Sequence, residues 1–288
     1  MFAYRHAFHA GNHADVLKHI VLQQVMQYMM QKDKPYWVID THAGAGIYSL
    51  ASKEAQTKGE YLQGIARLSL QDETDPAIVA YLELLTRINK DHGYACLDGQ
   101  YPMYPGSPLI AEYLLRADDR LRAFELHPSD APLLEDLFHK HKQVKVFAED
   151  GFHALKALLP PPTKRAVILM DPPYEIKTDY DKVVQAVREG MQRFAEGVYL
   201  IWYPILPRAD YRRMLEGLKK LSDKTLNVSM QVQAPNADGF GLLGSGVFII
   251  NPPWTMAATM THTLPRLLEK LAQTPDASYS LEQGAALA

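Results

Sequence analysis

The apolar run Ala166-Val167-Ile168-Leu169-Met170 stops at Asp171-Pro172-Pro173-Tyr174. Five consecutive apolar residues after Lys164-Arg165 read as a strand buried on both faces, as in the interior of a parallel sheet. Two prolines cannot extend a ladder, so the strand ends there. It delivers a carboxylate and an aromatic ring at its carboxyl end, the edge where open α/β sheets bind ligands.

Such a turn suits methylation of an exocyclic amine, a poor nucleophile whose lone pair is delocalised into its ring. Asp171 and the Pro172 carbonyl can both accept from the amine and aim its lone pair at a methyl donor, on a backbone stiffened by proline. Tyr174 could stack on a base taken out of its helix. The tetrapeptide alone is also compatible with a plain strand-ending turn, so the argument needs a cofactor site elsewhere.

That site is offered by Tyr36-Trp37-Val38-Ile39, which runs into Asp40-Thr41-His42-Ala43-Gly44-Ala45-Gly46. Glycines after a first strand allow a tight turn and close approach to a ligand. The loop has neither the six-residue dinucleotide fingerprint nor a P-loop lysine, so a pyrophosphate fits poorly and S-adenosylmethionine fits better. Leu121–His127 reads as a second strand ending at Glu125, placed for ribose hydroxyls. Glu125 lies 79 residues beyond Gly46, against a usual interval of about 20. Excising residues 53–104 shortens this to 27. That segment, with a helix expected from Asp75-Pro76 onward, is therefore read as a helical insertion, leaving 1–52 and 105–288 as the main domain. Val144–Phe147 is a third strand, followed by Asp150, a candidate for the adenine amine or a helix cap. Three acidic residues thus follow three strands, and the proline turn follows the fourth. Val198–Pro204 is a fifth strand, and Leu226–Gln233 and Gly246–Asn251 are expected as antiparallel end strands. The tail 275–288 reads as frayed.

The first stretch, 1–14, is aromatic and histidine-rich without a regular period and reads as an arm. Asp15 then looks like the N-cap of a helix carrying Val16, Leu17, Ile20, Val21 and Val25. Ser107-Pro108 looks like a second N-cap pair. No histidine has a matched partner, so no metal is expected. Arg208, Arg212, Arg213, Lys219 and Lys220 could meet phosphates, although such runs are usually solvated faces. Asn251-Pro252-Pro253-Trp254 mimics the proline turn, but making it the fourth strand would leave no chain for the later ones.

The 288 residues carry a net charge of −3 and one cysteine, Cys96. The charge gives no global sign of a nucleic-acid partner, which leaves a local patch. A single cysteine permits no intrachain disulfide and fits a reducing compartment. No secretory signal is visible, and no apolar run reaches about 18 residues, so a cytoplasmic chain without a membrane partner is expected.

Residues 40–46 and 171–174 resemble the two signature motifs of S-adenosylmethionine-dependent amino-methyltransferases. Tyr4-Arg5-His6-Ala7-Phe8-His9-Ala10-Gly11-Asn12-His13-Ala14-Asp15-Val16-Leu17-Lys18-His19 is more distinctive. With Tyr104-Pro105-Gly106-Ser107-Pro108 and Glu125-Leu126-His127-Pro128-Ser129-Asp130, it resembles the bacterial 23S ribosomal RNA adenine-N6-methyltransferases of the large-subunit methyltransferase J family. The resemblance spans the chain up to its tail. It implies an α/β, Rossmann-like methyltransferase sheet, mostly parallel with antiparallel end strands, plus a small inserted helical subdomain. It implies cofactor contacts at His19, His42, Ser107, Glu125, Asp150, Gly151 and Asp171. Asp171 would be the catalytic group, and Tyr4, His6 and Lys18 would lie near a 23S rRNA substrate, so the N-terminal stretch would be functional. The implied enzyme is a monomer without an obligate protein partner. Rival readings are a DNA adenine-N6-methyltransferase, which would need a sizeable target-recognition domain, and a non-catalytic rRNA-binding assembly factor, against which the intact Asp171 argues. A protein-glutamine methyltransferase would begin the motif with Asn, and a dehydrogenase would need the dinucleotide fingerprint.

Overall fold

Ala166–Met170 is a strand with all five residues buried, inside an eight-stranded sheet. The computed structural model describes residues 5–97, 99–207, 210–235 and 241–286. In chain order the elements are α1 (His13–Met30), β1 (Trp37–Asp40), β2 (Ile47–Ser49), α2 (Lys53–Lys58), α3 (Pro76–Asp91), β3 (Met103–Pro105), α4 (Ser107–Tyr113), β4 (Arg120–Phe124), α5 (Ala131–Phe138), β5 (Val144–Phe147), α6 (Gly151–Leu158), β6 (Ala166–Met170), α7 (Thr178–Arg193), β7 (Val198–Ile205), α8 (Asp210–Lys219), β8 (Thr225–Gln231), β9 (Gly244–Ile250), α9 (Met256–Leu271) and β10 (Ser278–Gln283).

The strand order is β10-β8-β9-β7-β6-β1-β4-β5. The five strands from β7 to β5 run parallel, while β9, β8 and β10 pair antiparallel. The chain lays β4 and β5 on one side of β1, then returns to lay β6 and β7 on the other. A reversal at β1 opens a crevice between the loops after β1 and β6. Both sheet faces are covered, which is why the central strands are apolar without alternation. Val38, Val167, Leu169 and Leu200 point into one cluster with α1, α3, α4 and α9. Ile39, Ile168, Met170 and Ile201 point into the other, under α6, α7 and α8. The sheet is thus a doubly wound, Rossmann-like platform, mostly parallel with an antiparallel end.

Two features differ from the sequence reading. The tail is not frayed through 275–288: Ser278–Gln283 pairs with β8 as an edge strand. An edge strand draws its stability from non-local pairing, which a short polar sequence does not announce. The N-terminal stretch is not a free arm over residues 5–14, since His6–Phe8 forms a 3-10 turn and Ala10 to Asp15 are buried. The N-cap of α1 is Asn12, whose Oδ1 accepts from Ala14 N at 3.0 Å and Asp15 N at 2.9 Å, a contact worth about 1 kcal/mol.

The stretch 53–104 holds α2, two 3-10 turns and α3, and ends inside β3, which pairs antiparallel with β2. Asp75 caps α3, accepting from Ala77 N and Ile78 N at 3.0 and 3.1 Å. Ile65, Ile78, Tyr81, Leu82 and Leu85 share one apolar cluster with α1. Gly64 makes this approach possible, because a Cβ there would lie 2.1 Å from the Gly11 carbonyl oxygen.

Candidate active site

Asp171 leaves β6 beside β1, where Asp40 pairs with Leu169. This register brings the proline turn and the glycine loop together at one end of the sheet. Tyr174 has φ of 51°, which folds its side chain back beneath the turn. Its ring is 7% exposed, lies 4.5 Å from Tyr180, and its hydroxyl donates to the Trp202 carbonyl at 2.7 Å. The expected stacking on a base is therefore not the geometry found: Tyr174 supports the turn from inside the core.

Facing Asp171 is the N-terminal end of α1. Lys18 Nζ lies 2.5 Å from Asp171 Oδ2 and 2.9 Å from Asp15 Oδ1, and 5.8 Å from the Trp202 ring centroid. Asp15 Oδ2 accepts from Gly11 N at 3.0 Å and meets His6 Nε2 at 2.9 Å. Asp15, expected as a cap, instead sits one turn inside and reaches back to a backbone donor as the carboxylate of a capping box does. Burial works to raise the Asp15 carboxyl, but His6 and Lys18 outweigh it and hold it well below its ordinary value. Burial raises the Asp171 carboxyl, with Lys18 opposing. Lys18 is raised despite its burial by the two carboxylates.

The second half of the site lies after β1, β4 and β5. Asp40 is 1% exposed. It accepts from the Ser107 hydroxyl at 2.6 Å and from His42 N at 3.3 Å. Burial pushes its carboxyl up to about 7, with Ser107 opposing and Asp171 adding to the rise. Ser107 is not the cap expected: Gly106 holds that position, and the Ser107 side chain turns to Asp40. Gly44 and Gly46 have φ of 62° and 81°, and Gly44 N donates to Glu125 Oε2 at 2.7 Å. His127 N donates to Glu125 Oε1 at 2.6 Å, so two backbone amides fix the carboxylate that burial raises above its ordinary value. Asp150 caps α6, accepting from Phe152 N at 2.8 Å. A Cβ on Gly151 would lie 2.0 Å from the Thr41 carbonyl oxygen, so α6 begins directly against the loop after β1. The His42 ring meets Phe152 edge-on at 4.8 Å, and burial lowers its imidazole to about 4.

His19, fully buried, meets the Tyr104 hydroxyl through Nδ1 at 3.0 Å, and Tyr104 meets the Tyr81 hydroxyl at 2.7 Å. His19 Nε2 has no hydrogen-bond partner among the described residues.

The structure thus gathers His6, Lys18 and Asp171 into one network, and His42, Ser107, Glu125, Asp150 and Gly151 around the adjoining loops. Tyr4 and Arg208 lie outside the described residues. Sequence reasoning missed the part Asp15 and Tyr104 play here, and it placed Asp40 in the cofactor loop without foreseeing its bond to Ser107. Asp40 had a signal, its place at the end of a strand before glycines. The proline mimic lies at the other sheet edge, because β9 runs antiparallel to β7: Asn251 Nδ2 donates to the Ala195 and Gly197 carbonyls at 2.7 and 2.8 Å. Among the described residues, no group of three or more His, Cys, Asp or Glu could hold a metal ion, and no helix is long and apolar enough to cross a membrane.

The family model described as "Ribosomal RNA large subunit methyltransferase D, RlmJ" matches residues 33–283. The chain is 47% identical over 272 residues to "Ribosomal RNA large subunit methyltransferase J" of Escherichia coli (strain K12), with 94% of each chain covered. It is 44% identical over 283 residues to the protein of the same name from Haemophilus influenzae, with 98% of each covered. A crystal structure of a Legionella pneumophila protein at 36% identity superposes with a TM-score of 0.86, covering 96% of this chain and 99% of that one. A fold built to join the two signature turns, and similarity over nearly its whole length, place this chain in the RlmJ family of ribosomal RNA large subunit methyltransferases.

Proposed function

We propose that this methyltransferase transfers a methyl group from S-adenosylmethionine to N6 of a specific adenine in 23S rRNA, acting as a monomer. The observation that carries this reading is the Asp171 carboxyl, set on a rigid Pro-Pro turn in the crevice shared with the Asp40–Gly46 loop.

The residues present suit this cofactor. His19 Nε2 is a buried polar atom without a partner, suited to a polar group of the amino-acid end. Asp40 and Ser107 form a buried polar pair at the end of β1. Glu125 is held by two backbone amides and can face ribose hydroxyls, while Asp150, Gly151 and His42 are proposed to contact the adenine. When bound, S-adenosylmethionine supplies an electrophilic methyl on its sulfonium.

Asp171 and the Pro172 carbonyl accept from the N6 hydrogens and orient the nitrogen lone pair, so that positioning does most of the work. A carboxyl raised above its ordinary value is also the better proton acceptor for the amine. Lys18 shares its ammonium between Asp171 and Asp15, and can swing toward Asp15 when the amine arrives. Tyr4, His6 and Lys18 are proposed to contact the RNA. The test is transfer of labelled methyl to unmodified 23S rRNA, naked and in assembled large subunits, followed by nucleoside analysis. N6-methyladenosine is the expected product, and its absence despite cofactor binding overturns the reading. Asp171→Ala is expected to keep cofactor affinity and lose turnover; equal loss of both removes its assigned role.

A further inference from the structure

Tyr81, Tyr104 and His19 form a closed relay linking α3, β3 and α1. The three residues are each 0% exposed, so bulk water does not complete their hydrogen bonding. The hydroxyls of Tyr81 and Tyr104 are 2.7 Å apart, and Tyr104 lies 3.0 Å from His19 Nδ1. The His19 and Tyr104 rings also stack, with centroids 5.5 Å apart, which fixes the imidazole plane.

Each hydroxyl has one proton to place, and Tyr81 has no other hydrogen-bond partner among the described residues. If Tyr81 donates to Tyr104, Tyr104 must donate to Nδ1, and the imidazole proton resides on Nε2. If the chain runs the other way, Nδ1–H donates to Tyr104 and Tyr104 to Tyr81. The Tyr81 proton is then sealed in the core with no acceptor, and Nε2 becomes a buried lone pair. Only the first direction moves the one unused proton to Nε2, where a ligand can take it. The first direction leaves one buried group unpaired, Nε2–H, and the second leaves two, the Tyr81 proton and the Nε2 lone pair; the extra unpaired group costs about 1–3 kcal/mol, which favours the first direction before any ligand binds.

Resting on the S-adenosylmethionine reading of the site, we infer that Tyr104, backed by Tyr81, fixes His19 as its Nε2–H tautomer, a neutral donor for the carboxylate of the cofactor's amino-acid tail. The carboxylate follows from the donor: the tail's ammonium has no lone pair to accept with. Tyr81 and Tyr104 are positioning residues that act through His19. The neutrality of the ring agrees with its surroundings, since burial lowers the His19 imidazole to about 3, against the raising influence of Asp15. The relay also gives residues 53–104 a part in cofactor binding, because Tyr81 lies on α3.

The test uses the full chain labelled with 15N-histidine and long-range 1H–15N spectra. His19 is expected to be protonated at Nε2 alone. Adding S-adenosylmethionine should move that proton downfield, whereas 5′-methylthioadenosine, which lacks the amino-acid tail, should leave it in place. Tyr104→Phe, which keeps the ring and removes the hydroxyl, should lose the pure Nε2–H form. It should weaken S-adenosylmethionine binding about tenfold by calorimetry and leave 5′-methylthioadenosine within about twofold. Tyr81→Phe removes the donor that directs the Tyr104 proton and should leave His19 as a mixture of the two tautomers; an unchanged Nε2–H form removes Tyr81 from the relay. An Nδ1–H signal in the wild-type chain overturns the relay, whether or not Tyr104→Phe folds. Equal loss of both ligands in Tyr104→Phe overturns the carboxylate assignment. Wild-type protein that binds neither ligand overturns the cofactor reading and the carboxylate with it, and the unliganded spectrum still decides the tautomer.

Discussion

Replacing Asp40 by Asn should change how stability depends on pH. The Asp40 carboxyl is pushed from 3.8 to about 7 in the folded chain. The unfolded chain ionises near 3.8 while the folded chain stays protonated, so this group favours the fold at low pH. That advantage falls away as pH rises from 3.8 to 7 and is constant above. At about 1.36 kcal/mol per pH unit, the ionisable group costs the fold roughly 2 kcal/mol at pH 5 and roughly 4 kcal/mol at pH 8. Asn keeps an acceptor for Ser107 and cannot ionise. The stability gain of Asp40→Asn over wild type should therefore grow by about 2–3 kcal/mol from pH 5 to pH 8. Any fixed cost of the amide cancels in that difference. So do His13, His19 and His42, lowered by burial to about 4, 3 and 4, whose stability contribution rises with pH in both proteins. Denaturant unfolding of the unliganded chain at the two pH values is the assay. A gain that does not change with pH refutes the reasoning.

Gly151→Ala sets a Cβ 2.0 Å from the Thr41 carbonyl oxygen, a backbone clash that should cost about 1–3 kcal/mol and weaken cofactor binding; wild-type thermal unfolding and calorimetry would refute it. Asp15→Asn removes the counter-charge of Lys18 while leaving an oxygen for Gly11 N, and should lower turnover at least about tenfold, the scale of a buried charged hydrogen bond, with cofactor affinity unchanged. Retained turnover at saturating RNA would show that Asp15 serves only to hold the start of α1 through Gly11 N. Glu125→Ala should weaken cofactor affinity chiefly, and unchanged affinity by calorimetry discards its ribose role.

The central strands β1, β6 and β7 were legible because burial on both faces leaves apolar runs, and the acidic residues after β1, β4 and β5 marked the ligand edge. The caps were less legible. Asn12 and Asp15 are both strong N-cap types three residues apart, and the choice depends on which one meets His6 and Lys18. The Lys18–Asp171 pair spans 153 residues of sequence, so no local pattern encodes it. Tyr174 was misplaced because its positive φ, not its residue type, decides which way the ring points. The edge strand β10 has only Tyr279 and Leu281 as apolar residues, too few to outweigh its polar composition.

The helix that carries Lys18 packs against β9 and β7. Its residues 13–30 are made early, whereas β9 spans 244–250. The first turn of the site therefore has no sheet to rest on until most of the chain has been synthesised. Contacts of such sequence separation form late and at high loop-closure cost. A nascent or truncated chain ending before β9 leaves α1 without its largest buried surface and Lys18 without a fixed position opposite Asp171. Synthesis through β9 is thereby a condition for setting Lys18 opposite Asp171.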